Sequence, residues 1–296
     1  MANFKWFTSL VLAAAVASTL VAETHCPGNV ASVPLRLVNG YQMIVPVSVN
    51  HSGPYQFLLD TGMQITMIDR SLAVELHLEA YGTAVVAGVG SRQSASIAQL
   101  DLLEAGSHAV PNSKVLVYDL QKLYIQGILG EDFLEHFDMM IDNVHGLLCL
   151  DDSAALRTDV RGPHAELMTP AERGGGLVPN LIIVEARLSD ATRPVRLMLD
   201  SGANGAILFN TREYLAPARI GDLLGTGVDG KQLIFSVLPP QDVKIGSLRL
   251  SRVSFVSLTG TQKDSRAKGF DGVLTLGLFR RVFIAHADHF AIFDPK

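Results

Sequence analysis

The chain repeats itself, and no other feature limits its possible folds so strongly. Residues 49–76, VNHSGPYQFLLDTGMQITMIDRSLAVEL, align without a gap with residues 189–216, SDATRPVRLMLDSGANGAILFNTREYLA, at a constant offset of 140. Pro54 meets Pro194, Leu59 meets Leu199, Asp60 meets Asp200, Gly62 meets Gly202, and Ile68 meets Leu208. The halves also close alike. Gly127-Ile128-Leu129-Gly130 introduces one closing segment and Gly272-Val273-Leu274-Thr275 the other. Phe133 and Phe137 recur as Phe279 and Phe283 once one residue is inserted. One folding pattern is used twice.

The repeat places a first lobe at 27–152 and a second at 177–296. Between them, 153–176 reads as a linker, with charges, Pro163, Pro170 and the run Gly174-Gly175-Gly176. One helical turn is expected near Pro170-Ala171-Glu172. Glycine is frequent and the valine, leucine and isoleucine runs are short, which favours short strands and tight turns. Strands are expected at Gln42 to Val49 and Tyr55 to Leu59, around a Ser52-Gly53-Pro54 turn. Leu181 to Leu188 and Val195 to Leu199 mirror them. Thr83 to Ala87 and Ser94 to Leu103 read as a hairpin around Gly88-Val89-Gly90-Ser91. Leu223-Leu224 and Gln232 to Val237 flank the glycine-rich run Gly225 to Gly230. Short helices are expected at Ser71 to Leu78, with Asp69 at the N-terminus, and at Glu131 to Phe137.

The N-terminus reads as a secretory signal peptide over 1–22, with Lys5 followed by a largely apolar stretch from Trp6 to Val21. That stretch is short for a membrane span of roughly 20 residues. The expectation is an exported chain, periplasmic or extracellular, with no stable membrane association after cleavage. Cys26 and Cys149 permit one disulfide in an oxidising compartment, or remain two free thiols. The net charge of −5 comes with no basic, aromatic-interleaved stripe, so nothing points to nucleic acid.

In Phe57-Leu58-Leu59-Asp60-Thr61-Gly62 an apolar strand runs into a carboxylate, and Leu197-Met198-Leu199-Asp200-Ser201-Gly202 repeats the design. A charge directly after a buried strand needs hydrogen bonds. Glycine two residues on lets the backbone approach closely enough to supply them. One such tripeptide means little. Two, related by an internal repeat, are a strong signal.

On these residues the chain resembles the pepsin and retropepsin-like aspartic proteases, in particular exported bacterial proteins with two retropepsin-like units in one chain. The resemblance covers both lobes. It implies an all-β, two-lobed fold with a central cleft, and aspartic endopeptidase activity without metal or cofactor. Carried over, Asp60 and Asp200 are the catalytic pair, and Thr61 and Ser201 the cross-lobe hydroxyls. Gly62 and Gly202 become the turn glycines, and Ile128-Leu129-Gly130 the later apolar-apolar-Gly motif. Gly88, Val89, Gly90 and Ser91 are candidate flap residues, with Gly225, Thr226 and Gly227 their counterparts. The partner is a peptide or protein substrate, and one chain holding both aspartates acts as a monomer. The competing reading is an inactive two-lobe protein that binds peptides without cutting them.

The chain departs from the family pattern in having no match to the flap tyrosine of pepsins, and at three further places. Met63 stands where a small residue is usual, and Thr275 where a second glycine is expected unless Gly277 fills that role. Gln126 precedes Gly127 where the second half has Asp271. Other chemistries find little support. Gly225, Gly227 and Gly230 fit a dinucleotide fingerprint, but a strand follows where a helix is required. His286 and His289 lack a metal-ligand cluster and read as satisfied or surface histidines. Asp132 and Asp142 read as turn or cap residues.

Overall fold

The computed structural model describes residues 25–88, 91–169, 180–216, 218–226, 232–258 and 269–296. The helices among them are short, and strands dominate. Each half builds its own sheet. Ordered by hydrogen bonding, the first runs Ala80–Gly88, Ser91–Gln99, Lys114–Tyr118, Met67–Asp69, Gly127–Leu129, Ser52–Leu59, Gln42–Val49, Leu102–Ala105 and His108–Pro111. The second runs Gly221–Thr226, Gln232–Val237, Phe255–Leu258, Ala206–Leu208, Gly272–Thr275, Val195–Asp200, Ile183–Leu188, Gln241–Ile245 and Leu248–Val253. The two orders correspond position for position. Even the parallel pairings recur: Gly127–Leu129 lies beside Phe57 to Leu59, and Gly272–Thr275 beside Leu197 to Asp200. Such strands are covered on both faces, which is why they read as continuous apolar runs.

A third sheet of six strands joins the halves. Asp138–Asp142 of the first half pairs antiparallel with Phe279–Ala285 of the second, and the other strands extend outward from that seam. The segment 153–176 is not only a tether. Leu156–Asp159 forms a helical turn, and His164–Glu166 pairs with Phe290–Pro295 as an edge strand of the shared sheet. The turn expected near Pro170-Ala171-Glu172 lies outside the described residues. Buried side chains from all three sheets, among them Val45, Phe57, Leu199, Phe255, Val282 and Phe293, form one core running from half to half.

Local chemistry moves several expected boundaries. The first hairpin does not turn at Ser52-Gly53-Pro54. It turns at Asn50 and His51, both at positive φ (49° and 64°), the two-residue geometry whose twist matches the flanking strands. The strand expected from Ser94 to Leu103 divides, because the Asn50 side chain accepts the N–H groups of Asp101 and Leu102 and the chain changes partners there. The first helix spans Arg70–Glu75, with Asp69 as its N-cap: Oδ1 accepts from Ser71 N at 2.9 Å and Oδ2 from Leu120 N at 2.7 Å. The second helix is shorter than expected, Glu131–Leu134.

Cys26 and Cys149 form a disulfide that closes a loop of sequence separation 123. It fastens the start of the described chain to the shared sheet, where Cys149 is fully buried. Replacing both cysteines by serine is expected to cost about 4 to 5 kcal/mol on loop-entropy scaling. The check is a lowered urea midpoint relative to the oxidised parent.

Candidate active site

Asp60 and Asp200 stand where the two central parallel pairings end at the boundary between the halves. Phe57, Leu58 and Leu59 are buried before the first, Leu197, Met198 and Leu199 before the second. Asp60 donates its N–H to Leu129 O at 3.0 Å. Its Oδ1 accepts from Gly62 N at 2.9 Å. In the second half Asp200 Oδ1 accepts from Gly202 N at 2.8 Å and Ala203 N at 2.9 Å. The turn amides thus solvate carboxylates that the strands draw inward.

The turns are locked to each other by four reciprocal hydrogen bonds. Thr61 Oγ1 donates to Leu199 O (2.9 Å) and accepts from Ser201 N (3.0 Å). Ser201 Oγ donates to Leu59 O (2.8 Å) and accepts from Thr61 N (3.1 Å). Both residues are almost fully buried. The glycines then become obligatory. A Cβ on Gly62 would lie 2.6 Å from Asp200 Oδ2, and one on Gly202 would lie 2.5 Å from Asp60 Cγ. Each carboxylate rests on the bare backbone of the opposite turn. The repeat therefore brings Asp60, Thr61, Gly62, Asp200, Ser201 and Gly202 into one cluster.

Residues 45–133 match a family model described as aspartyl protease. A search of curated protein sequences finds no match. The matched range holds Asp60 and the Ile128-Leu129-Gly130 segment. Asp200 lies beyond it, at the equivalent place in the duplicated sheet. With strands throughout and two equivalent sheets about a central seam, the chain has the two-lobed acid-protease fold.

The three further departures have physical explanations. Thr275 holds the position of Gly130, since Leu129 pairs with Leu59 and Leu274 with Leu199. In the first half Met63 O accepts the Glu131 N–H at 2.8 Å. In the second the equivalent carbonyl, Ala203 O, accepts the Thr275 hydroxyl at 2.6 Å. A side chain does there what backbone does in the other half, and Gly277 donates its N–H to the same hydroxyl. Gln126 and Asp271 likewise play one role in the two halves. Gln126 Oε1 accepts from Gln56 N, and Asp271 Oδ2 from the equivalent Arg196 N, both at 2.9 Å. Asp271 additionally binds Arg193 through both oxygens, and these bonds outweigh its burial and hold its carboxyl below the ordinary range.

Met63 faces an apolar space beneath the hairpin of Ala80–Gly88 and Ser91–Gln99. Met67, Val86, Gly88, Tyr118, Leu120 and Ile128 also line it. Its volume is about 10 Å³, near the lower limit for one water. Of the hairpin residues singled out in the sequence, Gly88 ends one strand and Ser91 begins the next, whereas Val89 and Gly90 lie outside the described residues. In the second half the Phe235 ring lies across Gly225, 2.6 Å from where a Cβ would sit; Thr226 ends that strand, and Gly227 is outside the described residues.

Asp132 and Asp142 are both backbone-binding carboxylates. Asp132 Oδ1 accepts from Thr66 N (2.8 Å) and Thr66 Oγ1 (2.7 Å), and burial raises its pKa. Asp142 accepts from Val144 N and His145 N in a turn. Among the described residues, no three His, Cys, Asp or Glu side chains gather as metal ligands do. The sequence reading missed a buried contact between Glu131 and His286. Its only signal was a glutamate opening a helix inside an otherwise apolar closing segment.

Thr61→Val keeps the side-chain volume but leaves Leu199 O and Ser201 N unpaired in a buried site. The expected loss is about 2 to 4 kcal/mol, measured by denaturant unfolding. Ser201→Ala added to it should cost less than the sum of the two single losses, because the four bonds form one network.

Proposed function

We propose that the chain is an aspartic endopeptidase in which Asp60 and Asp200 jointly activate one water. The observation that carries this reading is the reciprocal lock, which sets both carboxylates against the opposite turn. Two acids held so near do not readily ionise together, so they share a proton. The ionised member is the general base towards the water. The protonated member hydrogen-bonds the scissile carbonyl and then supplies the proton that the departing amine takes up. The titration belongs to the pair, and neither aspartate is permanently acid or base. No group beyond these side chains and water enters the mechanism.

The substrate in this reading is an extended peptide laid between the two hairpins, Ala80–Gly88 with Ser91–Gln99 and Gly221–Thr226 with Gln232–Val237. Strand-like binding supplies backbone hydrogen bonds, and closure of the hairpins excludes water. Export fits the signal-like residues 1–22, which lie outside the described residues, and the Cys26–Cys149 disulfide. No helix among the described residues is long and apolar enough to cross a membrane. Both aspartates sit in one chain, so a monomer is the working form.

Asp60→Asn and Asp200→Asn should each lower cleavage of a peptide library by at least about a thousandfold while unfolding at the parent's midpoint. The wild type should cleave best at acid to mildly acid pH. Absence of cleavage by the wild type from strongly acid to neutral pH would favour the inactive peptide-binding protein of the same fold. Met63→Ala opens the space beneath the hairpin of Ala80–Gly88 and Ser91–Gln99. It should shift preference towards larger apolar side chains by about tenfold in kcat/KM, read from paired peptides that differ at one position.

A further inference from the structure

Glu131 and His286 join the halves behind the Asp60 turn. Glu131 opens the helix Glu131–Leu134 and has no solvent exposure. Its N–H donates to Met63 O at 2.8 Å, and the Met63 N–H donates to Asp60 O at 3.1 Å. Its Oε2 lies 3.1 Å from His286 Nε2, while Oε1 has no hydrogen-bond partner in the protein. His286 directly follows the strand Phe279–Ala285 of the shared sheet, and its Nδ1 lies 2.7 Å from Phe137 O. A carbonyl oxygen only accepts, so Nδ1 carries a proton. The contact between Nε2 and Oε2 then needs a second proton, on one atom or the other. Without it two lone pairs face each other in a site where Glu131 is fully buried and His286 nearly so.

We propose that His286 is a positioning residue for Asp60: through Glu131 it ties the Asp60 turn to the shared sheet, and the tie holds only while a proton lies between Nε2 and Oε2. This deepens the protease reading for its kinetic consequence; the tie itself does not depend on that reading. The lock at Thr61 and Ser201 fixes the tip of the turn. The tie fixes its far side, at Met63, from an element of the other half.

The charged surroundings favour the proton. Asp132 lies on the same helix as Glu131, Glu135 is its C-cap, and Asp138 begins the strand that follows. Asp138 is paired with Arg157, which also reaches Asp288. Burial alone would lower the His286 pKa, but the hydrogen bond to Glu131 and its charge outweigh burial and raise it above 6.5. Burial raises Glu131 above 4.5, and the bond to His286 offsets this only in part. Both groups therefore bind protons more tightly in the folded chain than in the unfolded one. Each contribution is fully present below the group's ordinary value and is lost as pH rises through that group's own raised value. The depressed carboxyls of Asp69, Asp151 and Asp271 act in the opposite sense, losing their contribution as pH falls below their ordinary value of 3.8.

The test uses the full chain carrying Asp60→Asn, which removes self-digestion from the titrations. Imidazole NMR should place the His286 midpoint above 6.5 and show it lowered by about one unit or more when Glu131→Gln is added. The unfolding midpoint should fall with rising pH through the same window in the parent and should not fall in Glu131→Gln, whose amide donates to the unprotonated Nε2. In the active chain His286→Leu should reduce kcat about tenfold with KM within about twofold. A His286 midpoint at or below 6.5 overturns the proposal. So does a His286→Leu variant that loses stability equally at every pH and keeps its kcat. Titration and unfolding require no cleavage, so they decide the tie even where the protease reading fails.

Discussion

Everything at the centre of the molecule depends on two hydroxyls crossing a boundary. Thr61 and Ser201 each bond one donor and one acceptor of the opposite half. The bonds form where water is absent, and an unmade bond there carries its full desolvation penalty. The halves therefore meet in one register. Glycine at 62 and 202 follows from that closeness, since any side chain there would displace a carboxylate.

Around this point different residues meet equal requirements. Met63 O and Ala203 O are equivalent carbonyls, satisfied by a backbone amide in one half and a threonine hydroxyl in the other. Gln126 and Asp271 accept equivalent amides with an amide oxygen and a carboxylate. The hydrogen-bonding requirement is what the two halves share, and the side chain that meets it is free to vary. Glu131 and His286 belong to a different category. They join unlike elements of the two halves and have no symmetric counterpart in the repeat, where Leu276 follows Thr275.

Much of this was legible because the duplication exposed it. The offset alignment matched the two aspartate turns, and the strands from Gln42 to Val49 and from Gln232 to Val237 have the bounds their apolar runs indicate. Turn chemistry was harder to read. Glycine and proline at 53 and 54 drew the expected turn to themselves, whereas the chain reverses earlier, on Asn50 and His51 in left-handed conformation. The shared sheet was hidden for a different reason. Its central pairing brings together residues about as far apart as 140 and 283, and no local pattern announces a partner at that distance. The edge strand His164–Glu166 was masked by the prolines and charges around it. It has the composition of a tether and gains its conformation from the strand it meets and from Ser247, which binds His164. The Glu131 and His286 pairing depends on that same long-range closure.

The one-chain arrangement has a consequence beyond the lock. Two identical copies meeting about a true twofold axis must present the same atoms on both sides. Here Met63 follows one aspartate turn and Ala203 the other, and Glu131 has no twin. An extended polymer lying across such a groove meets unlike walls before and after the midpoint. Turning it end for end is no longer neutral, so the groove can distinguish head from tail, and a self-matched dimer of half-chains has no means of doing so.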